Sequence, residues 1–409
     1  MVSYEEVYEA YWDCMEHKGN TIDAIRFEID AEAQCMRLCQ QLNDRTYRPS
    51  RSIAFINEWP VKREIFGAAF RDRVADTVFA RRVAPLLEKQ YIDDNYSTRP
   101  GKGTLYGIHR VEDMIREMSD GYTQDCWVMK LDMQSYFMSL PKERAYQKFA
   151  ALLKKLYHED DLEWLCWLLH TVITDRPELH CVRNSPKEAW EGLPPSKSLF
   201  CSDGKHGMPI GKVISQMTAL VFMDDLDHEI TEGEWKEELR YGHYMDDSVY
   251  VSRNLALLMW LRDNVVDDWA RKNGVRRHPK KMYLQHYSKG VLFTGGMILP
   301  GRTYLSKRTV GRCMDKIERY NRLASDNPGY AVRHRKEFVS VMNSYFGIMR
   351  HFAARHIVHR LCSMISTEWY EVMYIDTTRR QYKAVMCHQY NDTTLALQSL
   401  ETDMYLLCA

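Results

Sequence analysis

Three aspartates carry the most specific chemical signal in the chain. Asp246 and Asp247 are adjacent in Tyr244-Met245-Asp246-Asp247, and Asp132 closes the apolar stretch Trp127 to Leu131, far earlier in the chain. Carboxylates are hard oxygen donors that suit Mg²⁺, and two such ions about 3.5 to 4 Å apart serve in-line displacement at phosphorus. Neighbouring side chains of a straight strand point to opposite faces, so Asp246 and Asp247 can address one pair of ions only if a hairpin turns there. With Asp132 on the adjacent strand, three acids would converge beside a hydroxyl and an incoming triphosphate. The predicted chemistry is nucleotidyl transfer, with Asp132, Asp246 and Asp247 holding two Mg²⁺, and Mn²⁺ as the substitute ion. A lone Asp-Asp pair is ordinarily a solvated turn, and Met223-Asp224-Asp225 provides an internal control. That string falls within the helical spacing of Ile214, Met217, Leu220, Val221 and Leu226, so its acids are assigned to a helix end and not to metal.

Tyr-x-Asp-Asp is the signature of reverse transcriptases, and the flanking motifs resemble that family too. In Leu131-Asp132-Met133-Gln134-Ser135-Tyr136-Phe137 the aromatic five residues after the aspartate takes the place of a steric gate under the sugar, so Phe137 would select deoxynucleotides. Lys62-Arg63 followed by Phe70-Arg71-Asp72-Arg73 resembles the fingers motif, where cations rich in N–H donors suit phosphate oxygens. Lys62 and Arg63 are the candidates for that task, while Arg71 and Arg73 are assigned to structural pairs with Asp72 or Asp76. His278-Pro279-Lys280-Lys281 matches the position of a lysine that protonates pyrophosphate, with Lys281 in the best register. Phe293-Thr294-Gly295-Gly296 resembles the primer-grip turn, where Gly295 and Gly296 let backbone approach the primer; Tyr244 is the other primer or template contact.

Within the family, Gly207-Met208-Pro209-Ile210-Gly211-Lys212-Val213-Ile214-Ser215-Gln216 discriminates. Most reverse transcriptases carry Gln-Gly-x-x-x-Ser-Pro there, and those of diversity-generating retroelements carry Ile-Gly-x-x-x-Ser-Gln, the form found here. Ile210, Gly211 and Gln216 are therefore nucleotide-site candidates. Asp94 to Thr104, Lys197 to Phe200 and Pro279 to Gly290 resemble the same group. The resemblance implies error-prone, adenine-mutagenic cDNA synthesis from a structured template RNA for targeted gene diversification in a bacterium or phage. Its implied partners are template RNA, the cDNA or primer strand, dNTPs and a small basic, oligomeric accessory protein. Lys212-Val213-Ile214 departs from the usual Asn-Leu-Thr, and Thr294-Gly295-Gly296 from the usual Leu-Gly. The alternatives are an antiphage-defence or retron-type reverse transcriptase and, in another class, a non-catalytic RNA-binding scaffold. His351, His356 and His359 near Cys362 suggest a zinc-dependent nuclease only weakly, since Arg355 and Arg360 favour a helix facing nucleic acid.

The elements that must position these residues follow from spacing. The fold expected is α+β, a right-hand polymerase with fingers, palm and thumb, an antiparallel palm sheet and a helical thumb. Residues 1–120 are read as N-terminal extension and fingers, 121–300 as palm with a fingers-returning segment at about 158–206, and 301–409 as thumb. Helices are expected over 1–45, 70–87, 142–156, 213–230, 256–273 and from Thr309 onward; strands over 52–56, 62–69, 127–131, 240–252 (two, joined by an acidic turn) and 291–298. At 409 residues with 45% apolar and 27% charged residues, the chain supports several packed subdomains, and no apolar run is long enough for a membrane span. Nothing at the N-terminus directs export, so a cytoplasmic location is expected. Lys+Arg equals Asp+Glu at 56 each, yet residues 301–350 hold eleven Lys/Arg against four acids, which fits phosphate-backbone contact. Eleven cysteines without a Cys-x-x-Cys pair read as free thiols.

Overall fold

The computed structural model describes residues 1–58, 61–377 and 382–387. The N-terminal segment is helical, but in three pieces, α1 (Tyr4–Lys18), α2 (Ile22–Glu28) and α3 (Ala31–Asn43). Ser3 starts α1 with a reciprocal capping box to Glu6, and Thr21 caps α2, so fresh starts interrupt what apolar spacing alone reads as one run. Two short strands follow, β1 (Ile53–Asn57) and β2 (Arg63–Gly67), and then the long helix α4 (Phe70–Gln90), whose Val74, Val78, Phe79, Val83 and Leu87 are buried. Helix α5 spans Thr104–Met118.

Strand β3 (Trp127–Asp132) leads through the short α6 (Tyr136–Ser139) to α7 (Lys142–Leu156) and α8 (Leu162–Thr174). The chain then returns to β1: β4 (Val182–Arg183) pairs with it in parallel, giving the order β2-β1-β4. Helix α9 (Val213–Glu232) is buried on nearly all sides, as its mostly apolar sequence requires. The hairpin of β5 (Arg240–Tyr244) and β6 (Asp247–Ser252) comes next, then α10 (Leu255–Trp260) and α11 (Asp267–Lys272), joined by a π-helical turn over Leu261–Val266. Strand β7 (Tyr283–His286) completes a four-stranded sheet of order β5-β6-β3-β7. The core under this sheet joins α1, α4, α7, α8 and α9 through residues such as Phe79, Phe149, Leu165, Phe222 and Tyr250.

The chain divides into two compact units, residues 1–107 with 117–285, and residues 108–116 with 286–409. In the second unit β8 (Val291–Phe293), β9 (Gly296–Leu299) and β10 (Arg302–Leu305) form an antiparallel meander. The single strand expected over 291–298 is thus a hairpin broken at Thr294 and Gly295, both with positive φ. Helices α12 (Lys307–Asp326), α13 (Tyr330–Met349), α14 (Arg355–Ser363) and α15 (Thr367–Tyr370) surround Phe338 and Trp369, whose rings stack at 4.1 Å. The region expected as a helical thumb also contains a hairpin of β11 (Met373–Asp376) and β12 (Lys383–Met386). The remainder of the expected thumb, beyond residue 387, lies outside the described residues. No helix among the described residues is long and apolar enough to cross a membrane. The described cysteines are free.

Candidate active site

Backbone register brings the acids together. Strands β3 and β6 are antiparallel, and Asp132 is the direct cross-strand partner of Asp247. Opposed residues of such a ladder share a face with their Cβ atoms about 5 Å apart. Asp246 occupies the turn between β5 and β6, whose last paired residues are Tyr244 and Asp247. Burial pushes the Asp246 carboxyl up to about 6, with the Asp132 and Asp247 charges adding to the effect. Burial also raises Asp247, against the pull of Lys130.

Two lysines answer this negative charge. Lys281 Nζ lies 2.8 Å from Asp132 Oδ2, and Lys130 Nζ lies 3.2 Å from Asp247 Oδ1. Lys281 is delivered by the segment before β7: the Gln134 amide donates to the Arg276 carbonyl at 2.8 Å, and the His278 amide to the Asp132 carbonyl at 2.7 Å. Lys130 was not among the residues singled out from the sequence. Its signal was available, because residues two apart on a strand share a face and Lys130 precedes Asp132 by two.

Three carboxylates without thiolate or imidazole form a donor set suited to a hard dication, and the upward shift at Asp246, due first to burial and then to its acidic neighbours, is one that a nearby cation would oppose. Side chains do not yet follow backbone: among the described residues no three His, Cys, Asp or Glu groups are gathered closely enough to hold an ion. Asp132 and Asp247 are each paired with a lysine, Lys281 and Lys130 respectively. The control string lies on the helix that its spacing predicts, but in the interior of α9 and not at its end. Asp224 and Asp225 lie within α9, bound by Gln90 at 2.9 Å and Lys148 at 2.7 Å.

The other sequence candidates fall in several places. Phe137 is part-buried on α6, its carbonyl accepting from the Met208 amide at 2.8 Å, which sets the 207–212 loop beside it. The Ile210 carbonyl accepts from the Phe66 amide of β2 at 3.0 Å. Gly211 has φ +121, and a Cβ there would meet the Phe66 carbonyl at 2.9 Å, so this backbone needs glycine. Gln216 is part-buried in the first turns of α9. Lys62 bonds the Glu191 carbonyl at 2.8 Å and stands 3.4 Å from Glu58, whereas Arg63 is exposed at the start of β2. Between them and the loop lies a residue that the sequence did not flag: Glu64 is buried and binds Trp190, Ser198 and the Leu199 amide at 2.6 to 2.7 Å, anchoring the returning segment. Arg71 pairs with Asp72 at 3.2 Å, as expected of a structural arginine, and Arg73 bonds the Ala68 carbonyl at 3.0 Å. Tyr244 is part-buried beside the turn. Gly295 and Gly296 belong to the second unit, in the β8-β9 turn, where the Gly295 carbonyl accepts from the Ser306 amide at 3.0 Å. A Cβ at Gly295 would meet nothing, but one at Gly296 would press on Ile108 at 2.7 Å. His359 bonds the Tyr382 hydroxyl at 2.8 Å, a structural role.

An antiparallel sheet backed by helices, with acids at a hairpin turn and on the adjacent strand end, defines the palm of a right-hand polymerase in an α+β fold. A family model described as reverse transcriptase (RNA-dependent DNA polymerase) matches residues 63–298, more than half of the chain. The chain therefore belongs to the reverse transcriptase family, a class of nucleotidyltransferases whose domains use divalent metal ions. No curated protein matches it. Similar solved structures include apo telomerase from Candida tropicalis, at 11% identity and TM-score 0.45, covering 89% of this chain and 66% of that one. The same enzyme truncated from its C-terminal domain is similar at 14% identity and TM-score 0.42, covering 63% of this chain and 56% of that one. Telomerase from Candida albicans in complex with a fragment of telomeric RNA is similar at 9% identity and TM-score 0.41, covering 87% and 62%. The chain thus spans between 56% and 66% of the length of these structures.

Proposed function

We propose that the chain is an RNA-directed DNA polymerase that makes error-prone cDNA from a template RNA, with errors concentrated at adenines, for targeted gene diversification. One observation carries the polymerase reading: Asp132 and Asp247 are register partners, with Asp246 at the adjoining turn. Asp132, Asp246 and Asp247 would hold two Mg²⁺, or Mn²⁺ in their place, which would acidify the primer 3′-hydroxyl and neutralise the leaving pyrophosphate. The protein's own groups have separate tasks. Lys281, already at the acids, donates a proton from Nζ to the departing pyrophosphate. The Phe137 ring excludes a 2′-hydroxyl, Arg63 and Lys62 hold the triphosphate, and the Gly295-Gly296 turn supports the primer. The test is extension of an annealed primer on RNA with dNTPs and Mg²⁺. Incorporation that depends on template sequence is expected; duplex binding without any incorporation would instead establish a non-catalytic scaffold.

The diversification reading rests on the form of the 207–216 loop. A glutamine at position 210 would offer hydrogen bonds beside the base pair, whereas Ile210 imposes no polar constraint and tolerates mispairs. Ile210→Gln is expected to lower the adenine error frequency about fivefold, equivalent to about 1 kcal/mol of added discrimination. Sequencing of cDNA from primer extension measures it, and an unchanged frequency would remove this explanation. A small basic, oligomeric accessory protein and a cytoplasmic setting in a bacterium or phage belong to the same reading. A retron-type or antiphage-defence enzyme would share the acids and copy a different RNA. Sequencing of cDNA made from RNA of its own locus separates the two.

Helix α12 carries Arg308, Arg312, Lys316, Arg319 and Arg322 at spacings of three and four, a stripe suited to a duplex backbone. Arg308, Arg319 and Arg322 are exposed. If they contact phosphates, the triple alanine variant loses about 2.7 from the slope of log affinity against log salt, near 0.9 per contact. Fluorescence anisotropy with an RNA–DNA duplex across a salt series reads this directly, and an unaltered slope would take the duplex off α12.

A further inference from the structure

The turn that presents Asp246 and Asp247 is held at both backbone groups of one residue. Met245 has φ 55, a left-handed conformation that strains any residue with a side chain. Its amide donates to Ser97 Oγ at 2.5 Å, and its carbonyl accepts from His243 Nδ1 at 2.8 Å. The other ring nitrogen of His243, Nε2, lies 2.9 Å from Asp227 Oδ2 on α9, and the Tyr241 hydroxyl donates to Asp227 Oδ1 at 2.7 Å. His243, Asp227, Ser97 and Tyr241 are all buried. The His243 backbone is fixed as well: its amide donates to the Asp94 carbonyl and its carbonyl accepts from the Tyr96 amide, both at 3.0 Å. Gly242 admits this approach, since a Cβ there would collide with the Tyr96 hydroxyl.

We infer that His243, clamped by Asp227, is a positioning residue that works with Ser97 to lock Met245 and so hold the aspartate turn in its working geometry. With a carbonyl at Nδ1 and a carboxylate 2.9 Å from Nε2, the surroundings favour the imidazolium, and the Asp227 charge raises the His243 pKa against the effect of burial. A fully buried ion pair seldom improves stability over apolar residues of the same volume, so stability alone does not account for it. Fixing a strained turn does, because displacement of reacting groups by about 1 Å can cost about 100-fold in rate.

The inference rests on the polymerase reading, and the experiment separates the two. His243→Gln and Ser97→Ala are compared with wild type and with Val251→Ala, a cavity variant at the far end of the same hairpin. Primer extension on RNA gives kcat and the dNTP KM, and hydrogen exchange of the metal-free protein follows the peptide containing Met245. Both clamp variants are expected to lose at least about tenfold in kcat, with KM within about twofold, and to exchange the Met245 amide at least about tenfold faster. Val251→Ala should keep kcat within about twofold at a comparable loss of melting temperature. Equal loss of kcat in Val251→Ala, or full kcat and unchanged exchange in the clamp variants, would overturn the clamp. If His243→Gln does not fold, Ser97→Ala decides on the same readouts. Wild type without incorporation would instead remove the polymerase reading, leaving the exchange comparison to judge the clamp as structure.

Discussion

Asp246→Asn is expected to reduce RNA-templated primer extension by at least about 10³-fold while leaving the fold intact, because a ligand of the proposed metal pair is lost while Asn can keep the carboxyl's local backbone hydrogen bond. Asn keeps the size of the side chain but removes its charge. In the protein without added metal, that charge is withdrawn from water by burial and further opposed by Asp132 and Asp247, which is why its carboxyl is pushed up to about 6. The melting temperature of Asp246→Asn in EDTA should therefore equal or exceed that of wild type. Asp225→Asn is the matched control from the other Asp-Asp string: its carboxylate serves Lys148 and Trp269, so extension should stay within about twofold of wild type. Retained activity in Asp246→Asn would show that the chemistry is sited elsewhere.

The second large effect concerns Lys212, one of the departures from the family pattern. Its ammonium is buried and lies 3.1 Å from Asp175, with Asp175 also accepting at its carbonyl from Lys142 at 2.6 Å. Lys212 is also the principal cation acting on Asp72 and Asp76, two buried acids of α4. Burial pushes Asp76 up to about 7 from an ordinary 3.8, even with Lys212 opposing the shift. Lys212→Met fills the same space without charge, so it removes the ammonium from Asp175, which keeps His180 at 3.0 Å, and takes from Asp76 its principal cation, leaving only the weaker effect of Arg73. Removing one partner of a buried pair costs about 3 to 5 kcal/mol, visible as a large fall in the urea midpoint at pH 8. The pH dependence follows from the direction of the Asp76 shift. Between about pH 4 and 7 the folded protein binds a proton that the unfolded chain has released, so stability falls as pH rises through that window. The variant should therefore lose much less relative to wild type at pH 5, where Asp76 is protonated in the folded state, than at pH 8. A loss independent of pH would mean that packing, not charge, makes Lys212 matter. Because Lys212 directly follows Gly211, the same variant should also raise the dNTP KM.

Much of this was legible in residue order. A compact apolar run and a terminal acid marked β3, the Tyr-Met-Asp-Asp string marked a hairpin, and continuous helical spacing placed Asp224 and Asp225 on α9, each a local property of the chain. The breaks at Thr21 and Thr294 were less legible, because a cap or a left-handed residue is one position in a run whose apolar spacing continues across it. Glu64, Lys130, Lys212 and His243 read as ordinary polar residues until their surroundings are known. Charge type is written in the sequence, but the loss of water around it is not.

Residue identity alone singled out Asp132, Asp246, Asp247 and Lys281 as candidates and pointed to the family to which the chain belongs. Folding added which acid faces which: Asp132 opposite Asp247, Lys281 and Lys130 on the carboxylates, and Asp227, His243 and Ser97 around the turn at Met245. These pairings join residues remote in sequence, so they depend on strand register and helix packing, and only the assembled core brings buried charges close enough for one to set the geometry of another.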